Sequence, residues 1–217
     1  MRLRVANTQG TSDILDQPLV VSVRSTLSPT NTPPVATIEA PATGTTWSVG
    51  KTISFSGSAT DQQDGALAAS RLSWSLILHH CPSNCHTHPL QSFAGVSGGS
   101  FNAPDHEYPS HLELRLTATD SEGLTDSKSV RLDPKTVALS FKTSPVGLKL
   151  AVNGSVAKAP FSRTVIVGSN NTISAISPQS LNQTTYSFRF WSDGKAQTHN
   201  ISAPASTTTY TATYRRR

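Results

Sequence analysis

The sequence predicts an all-β protein that is long enough for two β-sandwich domains. Charged residues make up 14% of the chain and hydrophobic residues 35%, while Ser, Thr, Gly and Pro are abundant, a balance that favours strands and turns. No window of a dozen positions carries apolar residues at helical spacing without Pro, Gly or β-branched clusters. The 217 residues fit two domains of about 100 residues each.

The N-terminal segment contains two short apolar alternations, at 3–6 and 18–23, with a polar turn at 7–16 between them. Because two strands alone cannot form a core, we interpret residues 1–24 as the end of a preceding β domain or as an N-terminal arm. The next segment, 25–33, is rich in Pro and Thr. This composition is typical of an extended linker and predicts a domain boundary near Thr32.

Residues 34–134 and 135–217 each show strand-like runs separated by turn signals, as expected for sandwiches. Apolar and polar residues alternate from 112 to 117, which predicts a strand with one face in water. Asn153-Gly154 predicts a hairpin turn in the second domain. The predicted strands are 35–38, 52–59, 72–78, 112–119, 128–132, 137–143, 148–152, 163–167, 171–174, 186–191 and 210–214.

Several sequence segments resemble known families. ATDQQDG at 59–65 and LTATDSEGLTDS at 116–127 resemble a polycystic-kidney-disease-type (PKD-like) repeat. The second domain, with TSPVGLKLAVNG, RTVIVGSNNTISA and FWSDG before ASTTTYTATY, resembles a β-rich C-terminal module of secreted bacterial proteins. In tandem they are similar to the C-terminal extension of secreted glucose/sorbosone dehydrogenase-like proteins, whose catalytic quinone-binding β-propeller is not in this sequence. The resemblance implies tandem immunoglobulin-like β-sandwich domains used as spacers or for attachment to surfaces and polymers.

A histidine cluster is the least ordinary feature, since six of the seven histidines lie between positions 79 and 111. Side chains two apart on an extended strand share a face, so His86 and His88 could both reach one ion, with His80 across the turn as a third ligand. His106 is a fourth candidate, and Zn²⁺ or Cu²⁺ would suit these imidazoles. The alternative is a polar loop whose histidines only hydrogen-bond the turn, and both interpretations stay open.

Cys81 and Cys85 are the only cysteines, and they flank a short Pro-containing turn. In an oxidising compartment they can close a small loop as a disulfide, which is the interpretation we prefer. As thiolates they could instead join the histidines at a tetrahedral metal site.

Calcium is a second candidate cofactor. Asp61, Asp64 and Asp120 lie in turns that end adjacent strands, and hard cations need oxygen ligands gathered from such loops. The alternative is that these aspartates hydrogen-bond their own turns without an ion.

Exposed aromatic rings could stack on sugars, and Trp47, Tyr108 and Trp191 are candidates because they lie beside turns. The alternative is that such rings belong to the core. Trp74 lies in the middle of an apolar run, so we expect it to pack between the sheets.

These features predict a non-catalytic, secreted bacterial accessory module that spaces or attaches a larger parent protein. Its expected partners are an extracellular polysaccharide or cell surface and the other domains of that parent. A transition-metal-binding or metalloenzyme domain is the alternative from another class, and a calcium-rigidified structural spacer is a third. The basic residues behind the net charge of +5 are scattered, apart from a terminal Arg run, which predicts no nucleic-acid binding. No apolar stretch of about 18 residues predicts a membrane span.

Overall fold

A computed structural model describes residues 30–217 and, nearer the N-terminus, the backbone of two short paired strands. These strands, β1 (Val5–Ala6) and β2 (Ser12–Asp13), are antiparallel. They belong to a unit, Met1–Asn31, that is separate from Thr32–Arg217. The segment 7–16, which was predicted as a polar turn, therefore contains β2. A strand of two residues is too short to show an alternation of apolar and polar residues. The predicted strand at 18–23 and positions 25–29 of the predicted linker lie outside the described residues.

The first β-sandwich begins at Val35. Its strands are β3 (Val35–Ala40), β4 (Thr46–Trp47), β5 (Thr52–Asp61), β6 (Gly65–Ala66), β7 (Leu72–His80), β8 (His86–Ala94), β9 (Gly98–Asn102), β10 (Ser110–Thr119) and β11 (Thr125–Pro134). One sheet has the order β4-β11-β10-β7-β8, and the other has the order β3-β5-β6, with β9 also paired to β5. A three-residue 3-10 helix, Ala69–Arg71, precedes β7. Within the described part of the chain, no helix has the length and apolar character needed to cross a membrane.

Alternating residues of β7 and β10 fill the first core. The Trp74 ring is buried, lies 4.8 Å from the Phe55 ring between centroids, and donates a hydrogen bond from Nε1 to the carbonyl of Val96 at 3.0 Å. This confirms that Trp74 packs between the sheets. The other buried apolar residues of this core are Ala36, Trp47, Ile53, Ala59, Leu72, Leu76, Leu78, Phe101, Ala103, Leu112, Leu114, Leu116, Ala118, Val130, Leu132 and Ile166.

The strands of the second β-sandwich are β12 (Thr136–Ser144), β13 (Lys149–Val152), β14 (Ser155–Lys158), β15 (Phe161–Ile166), β16 (Asn170–Ala175), β17 (Gln179–Leu181), β18 (Thr184–Trp191), β19 (Thr198–Ser202) and β20 (Thr208–Arg216). One sheet has the order β15-β12-β20-β18-β17 and the other has the order β14-β13-β16-β19. Asn153 and Gly154 both have positive φ, 48° and 77°, and form the predicted hairpin turn between β13 and β14. The all-β sandwich prediction is confirmed.

The second core is built from both of these sheets and is separate from the first. Trp191 and Phe141 are its largest fully buried side chains, and Tyr210 and Tyr214 close it near the C-terminus. The side-chain amide of Gln179 donates a hydrogen bond to the Tyr214 hydroxyl at 3.1 Å.

The two sandwiches meet at a joint in which Lys135 is the only residue between β11 and β12. The Lys135 N–H donates to the carbonyl of Trp47, and the Lys135 carbonyl accepts from Val167 N–H at 2.9 Å. Val49 N–H in turn donates to the Val167 carbonyl at 3.0 Å. Ile166 of the second sandwich is buried in the first core. The joint is therefore held by backbone hydrogen bonds and by apolar burial.

The water-facing side of β10 carries a charged array around Glu113. Its carboxylate accepts hydrogen bonds from Ser129 Oγ at 2.6 Å and from Arg115 at 2.8 Å, and it contacts His79 Nε2 at 2.8 Å. The His79 ring stacks on His111, with centroids 4.6 Å apart. Burial alone would raise the pKa of Glu113, but the hydrogen bonds from Ser129, Arg115 and His79 outweigh it and hold the pKa at about 2.

Because the folded-state pKa of Glu113 is depressed from 4.5 to about 2, its stabilising contribution is present above pH 4.5 and is lost as the pH falls towards 2. We expect Glu113→Gln to lower the free energy of unfolding at pH 6, and we expect this difference from wild type to shrink between pH 4.5 and 2.5. Urea denaturation at several pH values measures it. Glu122→Gln, in an exposed turn, is the control for loss of a surface carboxylate, and a deficit for Glu113→Gln that is constant with pH contradicts the prediction.

Gly57 lies in β5 where the two sheets approach closely. A Cβ there would lie 2.6 Å from the Thr37 carbonyl oxygen and 3.0 Å from the Trp74 ring. We expect Gly57→Ala to lower the free energy of unfolding by about 2 kcal/mol, because backbone and a buried indole would have to move. Chemical denaturation measures the change, and Ser54→Ala on the exposed face of β5 is the matched control.

Candidate metal centre

The β7–β8 hairpin brings three histidines together. His80 ends β7 and pairs directly with His86, which begins β8, while Leu78 pairs with His88. Cross-strand partners share a face of the sheet, and so do residues two apart on a strand. All three imidazoles therefore project from the same face, just beyond the buried end of the core.

The ring nitrogens of this histidine triad converge. One ring nitrogen from each of His80, His86 and His88 lies within 4.8 Å of the other two. No other group of three His, Cys, Asp or Glu residues converges in this way among the described residues. His106, from the loop between β9 and β10, adds a fourth ring, 4.6 Å from His80 and 5.5 Å from His88 between centroids. The structure therefore places close together the four histidines that the sequence analysis proposed as candidate ligands.

Metal ligation requires a neutral imidazole with a free lone pair, and His80 is shifted towards that form. The pKa of His80 is lowered, first by burial and then by the positive charges that His106, His86 and His88 would carry, against an opposing effect of Glu107. Tetrahedral zinc, with Zn–N bonds of about 2.0–2.1 Å, holds its ligand nitrogens about 3.4 Å apart. Ring nitrogens at the 4.8 Å limit must therefore approach by about 1.4 Å, and the exposure of His86 and His88 leaves their side chains room to rotate.

A disulfide closes the loop that joins the ligand-bearing strands. Cys81 and Cys85 are bonded, as the preferred interpretation of the sequence expected, and their Cα atoms are 4.1 Å apart. Each cysteine is adjacent in sequence to a triad histidine, Cys81 to His80 and Cys85 to His86. The bond leaves neither sulfur free as a thiolate ligand and fixes the distance between the two strand ends.

The triad opens onto a cleft of about 650 Å³ between the two sandwiches. Asp105, Glu107 and Tyr108 line it beside the histidines, and Arg163 and Asn171 line it from the second sandwich. Asp105 Oδ2 spans the cleft edge and accepts a hydrogen bond from the N–H of Asn170 at 3.0 Å. Sequence reasoning did not identify the wall of the second sandwich, because its residues lie more than 40 positions from the nearest histidine of the cluster.

The three candidate calcium ligands occupy linked turns. Asp61 Oδ1 accepts two backbone N–H groups, from Gln63 and Asp64, each at 2.8 Å. Asp120 Oδ1 likewise accepts N–H groups within its own turn, at 2.9 and 2.8 Å. Asp64 joins the turns by accepting from the N–H and hydroxyl of Ser121. These bonds are the turn-locking role that was the alternative to an ion, and calcium at these residues stays a prediction.

The aromatic candidates divide by burial. Trp47 and Trp191 are 0% and 1% exposed, and their indoles donate to the carbonyls of Leu132 and Gln197, both at 3.0 Å. Neither ring can stack on a sugar, which corrects that prediction: each lies on the inner side of its sandwich even though it is close to a turn. Tyr108 is 45% exposed and lines the cleft.

Comparison with known proteins gives only distant structural likenesses. No protein-family model and no curated protein matches the chain. A crystal structure of the major pilin subunit of Bacillus cereus is similar over 84% of this chain and 71% of that one, at 8% identity and a TM-score of 0.27. A Ca²⁺-stabilized adhesin that helps an Antarctic bacterium bind ice is similar over 95% of this chain and 55% of that one, at 11% identity and a TM-score of 0.20.

Proposed function

We propose that this chain is a non-catalytic extracellular accessory module that binds Zn²⁺ or Cu²⁺ through His80, His86 and His88. The observation that carries the proposal is the convergence of three imidazole nitrogens within 4.8 Å on one hairpin. Zinc and copper are the divalent ions that imidazole ligands suit best, and a three-histidine set leaves a coordination position open. His106 lies beside the triad, with its ring centroid 4.6 Å from that of His80.

The disulfide supports an extracellular location for this site. Disulfides persist in oxidising compartments and are rare in reducing ones. The bond between Cys81 and Cys85 sits in a loop where at least Cys85 is exposed, and reduction would release the ends of both ligand strands. A hairpin that depends on this bond therefore fits a secreted protein.

The joint supports the role of a spacer or attachment module. Only Lys135 lies between the sandwiches, and Ile166 is buried in the first core. The two sandwiches therefore have little freedom to move relative to each other. A stiff pair of sandwiches holds the metal site at a defined distance from the rest of a parent protein. It also keeps the cleft in a constant shape.

We expect protein produced without a polyhistidine tag to hold about one zinc or copper ion per chain after dialysis against a metal buffer. His86→Ala/His88→Ala should lower the affinity at least about 100-fold, because two of three ligands are lost. Mass-spectrometric elemental analysis measures the content, and competition with a chromophoric chelator measures the affinity and identifies the preferred ion.

The matched control is His79→Ala/His111→Ala, which removes two histidines of the same sheet that project from the opposite face. This variant should bind metal as the wild type does. Wild-type protein that binds no more metal than the His86→Ala/His88→Ala variant would overturn the proposal.

We expect Cys81→Ser/Cys85→Ser to weaken metal binding about tenfold, because an unlinked loop samples more positions of the ligand strands. Chelator competition in oxidising buffer measures it. Reduced wild-type protein provides the comparison: affinity like that of the serine variant supports a purely structural disulfide. Affinity unchanged by the substitutions contradicts the expected role of the bond.

A further inference from the structure

We propose that the cleft binds an acidic saccharide whose carboxylates are recognised by the metal and by Arg163. This inference rests on the proposed metal site and names what its open coordination position is for. Three features of the cleft support this inference: a cation on the far wall that has no ionic partner among residues 30–217, an exposed aromatic ring, and a polar lining.

Arg163 is the cation on the far wall. Its guanidinium carbon lies 4.9 Å from the centroid of the Phe161 ring, and one of its nitrogens donates weakly to the carbonyl of Ser162 at 3.5 Å. Across residues 30–217, the ion pairs of the chain involve other basic side chains, and no carboxylate pairs with Arg163. The planar fork of a guanidinium binds a carboxylate through two parallel hydrogen bonds. The ring beneath it holds that fork in place.

The charges of the cleft favour an anionic ligand once metal is bound. Asp105 is already engaged by the backbone of Asn170. A divalent ion and Arg163 together supply three positive charges, which exceed the two negative charges of Asp105 and Glu107. A ligand carboxylate restores the balance, and metal and guanidinium both prefer a charged oxygen to a sugar hydroxyl.

The remaining lining favours a saccharide over an acidic peptide. Tyr108 exposes 45% of its surface at the cleft, where the flat face of a sugar ring can pack. The second wall is shaped by fixed amides: Asn153 donates to Asn171 at 3.0 Å, and Asn171 donates to Ser169. A cleft of about 650 Å³ lies within the range of small-ligand sites and fits two or three sugar units. The exposed side chains of Ser155, Thr164 and Asn170 also line the cleft and can bond sugar hydroxyls.

The test is a calorimetric titration of trigalacturonate into the zinc-loaded 217-residue chain, after free zinc has been removed. We expect saturable binding that falls at least about tenfold for Arg163→Gln and for metal-free protein, and about fivefold for Tyr108→Ala. Arg163→Lys, which keeps the charge but not the fork, should lie between wild type and Arg163→Gln. Maltotriose, the neutral comparison, should not bind measurably.

Arg189→Gln is the matched control, since Arg189 also lies over an aromatic ring, Phe190, at 5.6 Å, but is outside the cleft lining. It should bind like the wild type. The zinc content and thermal midpoint of every sample are measured alongside, so a misfolded variant is recognised. Zinc-loaded protein that ignores trigalacturonate, binds it equally after Arg163→Gln, or binds triglutamate as tightly overturns this inference and leaves the metal site intact. Absence of zinc uptake instead overturns the proposed function.

Discussion

Between Leu76 and Ile77 the pairing of β7 with β8 shifts register, because β8 contributes one residue more than β7 at this point. Phe93 pairs with Trp74 and packs against the first core, and in a regular strand every second residue before it would face the same way. His86 and His88 would then point outward. The bulge inserts one residue and reverses the alternation, so both histidines turn to the side of His80. The whole candidate metal centre depends on this irregularity.

The joint decides what lies opposite the cluster. His80, His86 and His88 stand at the end of the first sandwich, beyond the last buried leucine of β7. The hydrogen bonds around Lys135 and the insertion of Ile166 into the first core fix the second sandwich beside that end. Arg163 belongs to the same strand as Ile166 and is brought to the cleft by that insertion. Apolar burial at the joint thus positions a polar site a few residues away.

Sequence patterns predicted the secondary structure correctly where apolar and polar residues alternate regularly along a strand. The strand around 112–117 and the turn at Asn153-Gly154 follow directly from polar alternation and from the positive φ that the turn requires. The sequence also nominated the four histidines that the structure gathers. It did not predict β8 as a nine-residue strand, since Pro89 and the mostly polar residues around it are typical of a loop. The bulge in β8 breaks the alternation of side chains, so no periodic pattern in the sequence predicts it. The far wall of the cleft comes from residues of the second sandwich that are distant in sequence from the histidines.

The strand β8, which carries two of the three candidate ligands, buries little apolar surface. Eight of its nine residues are exposed and only Phe93 is half-buried, so the strand is held mainly by its ladder to β7 and by the disulfide at its start. Proline at position 89 removes one backbone donor and protects this edge from pairing with other chains. A strand with so little apolar burial belongs to the less stable part of a fold, where binding energy can have the largest local effect. A metal held by residues of both β7 and β8 would add a second cross-link to the hairpin beside the covalent one, and it would order the strand that carries two of the three ligands.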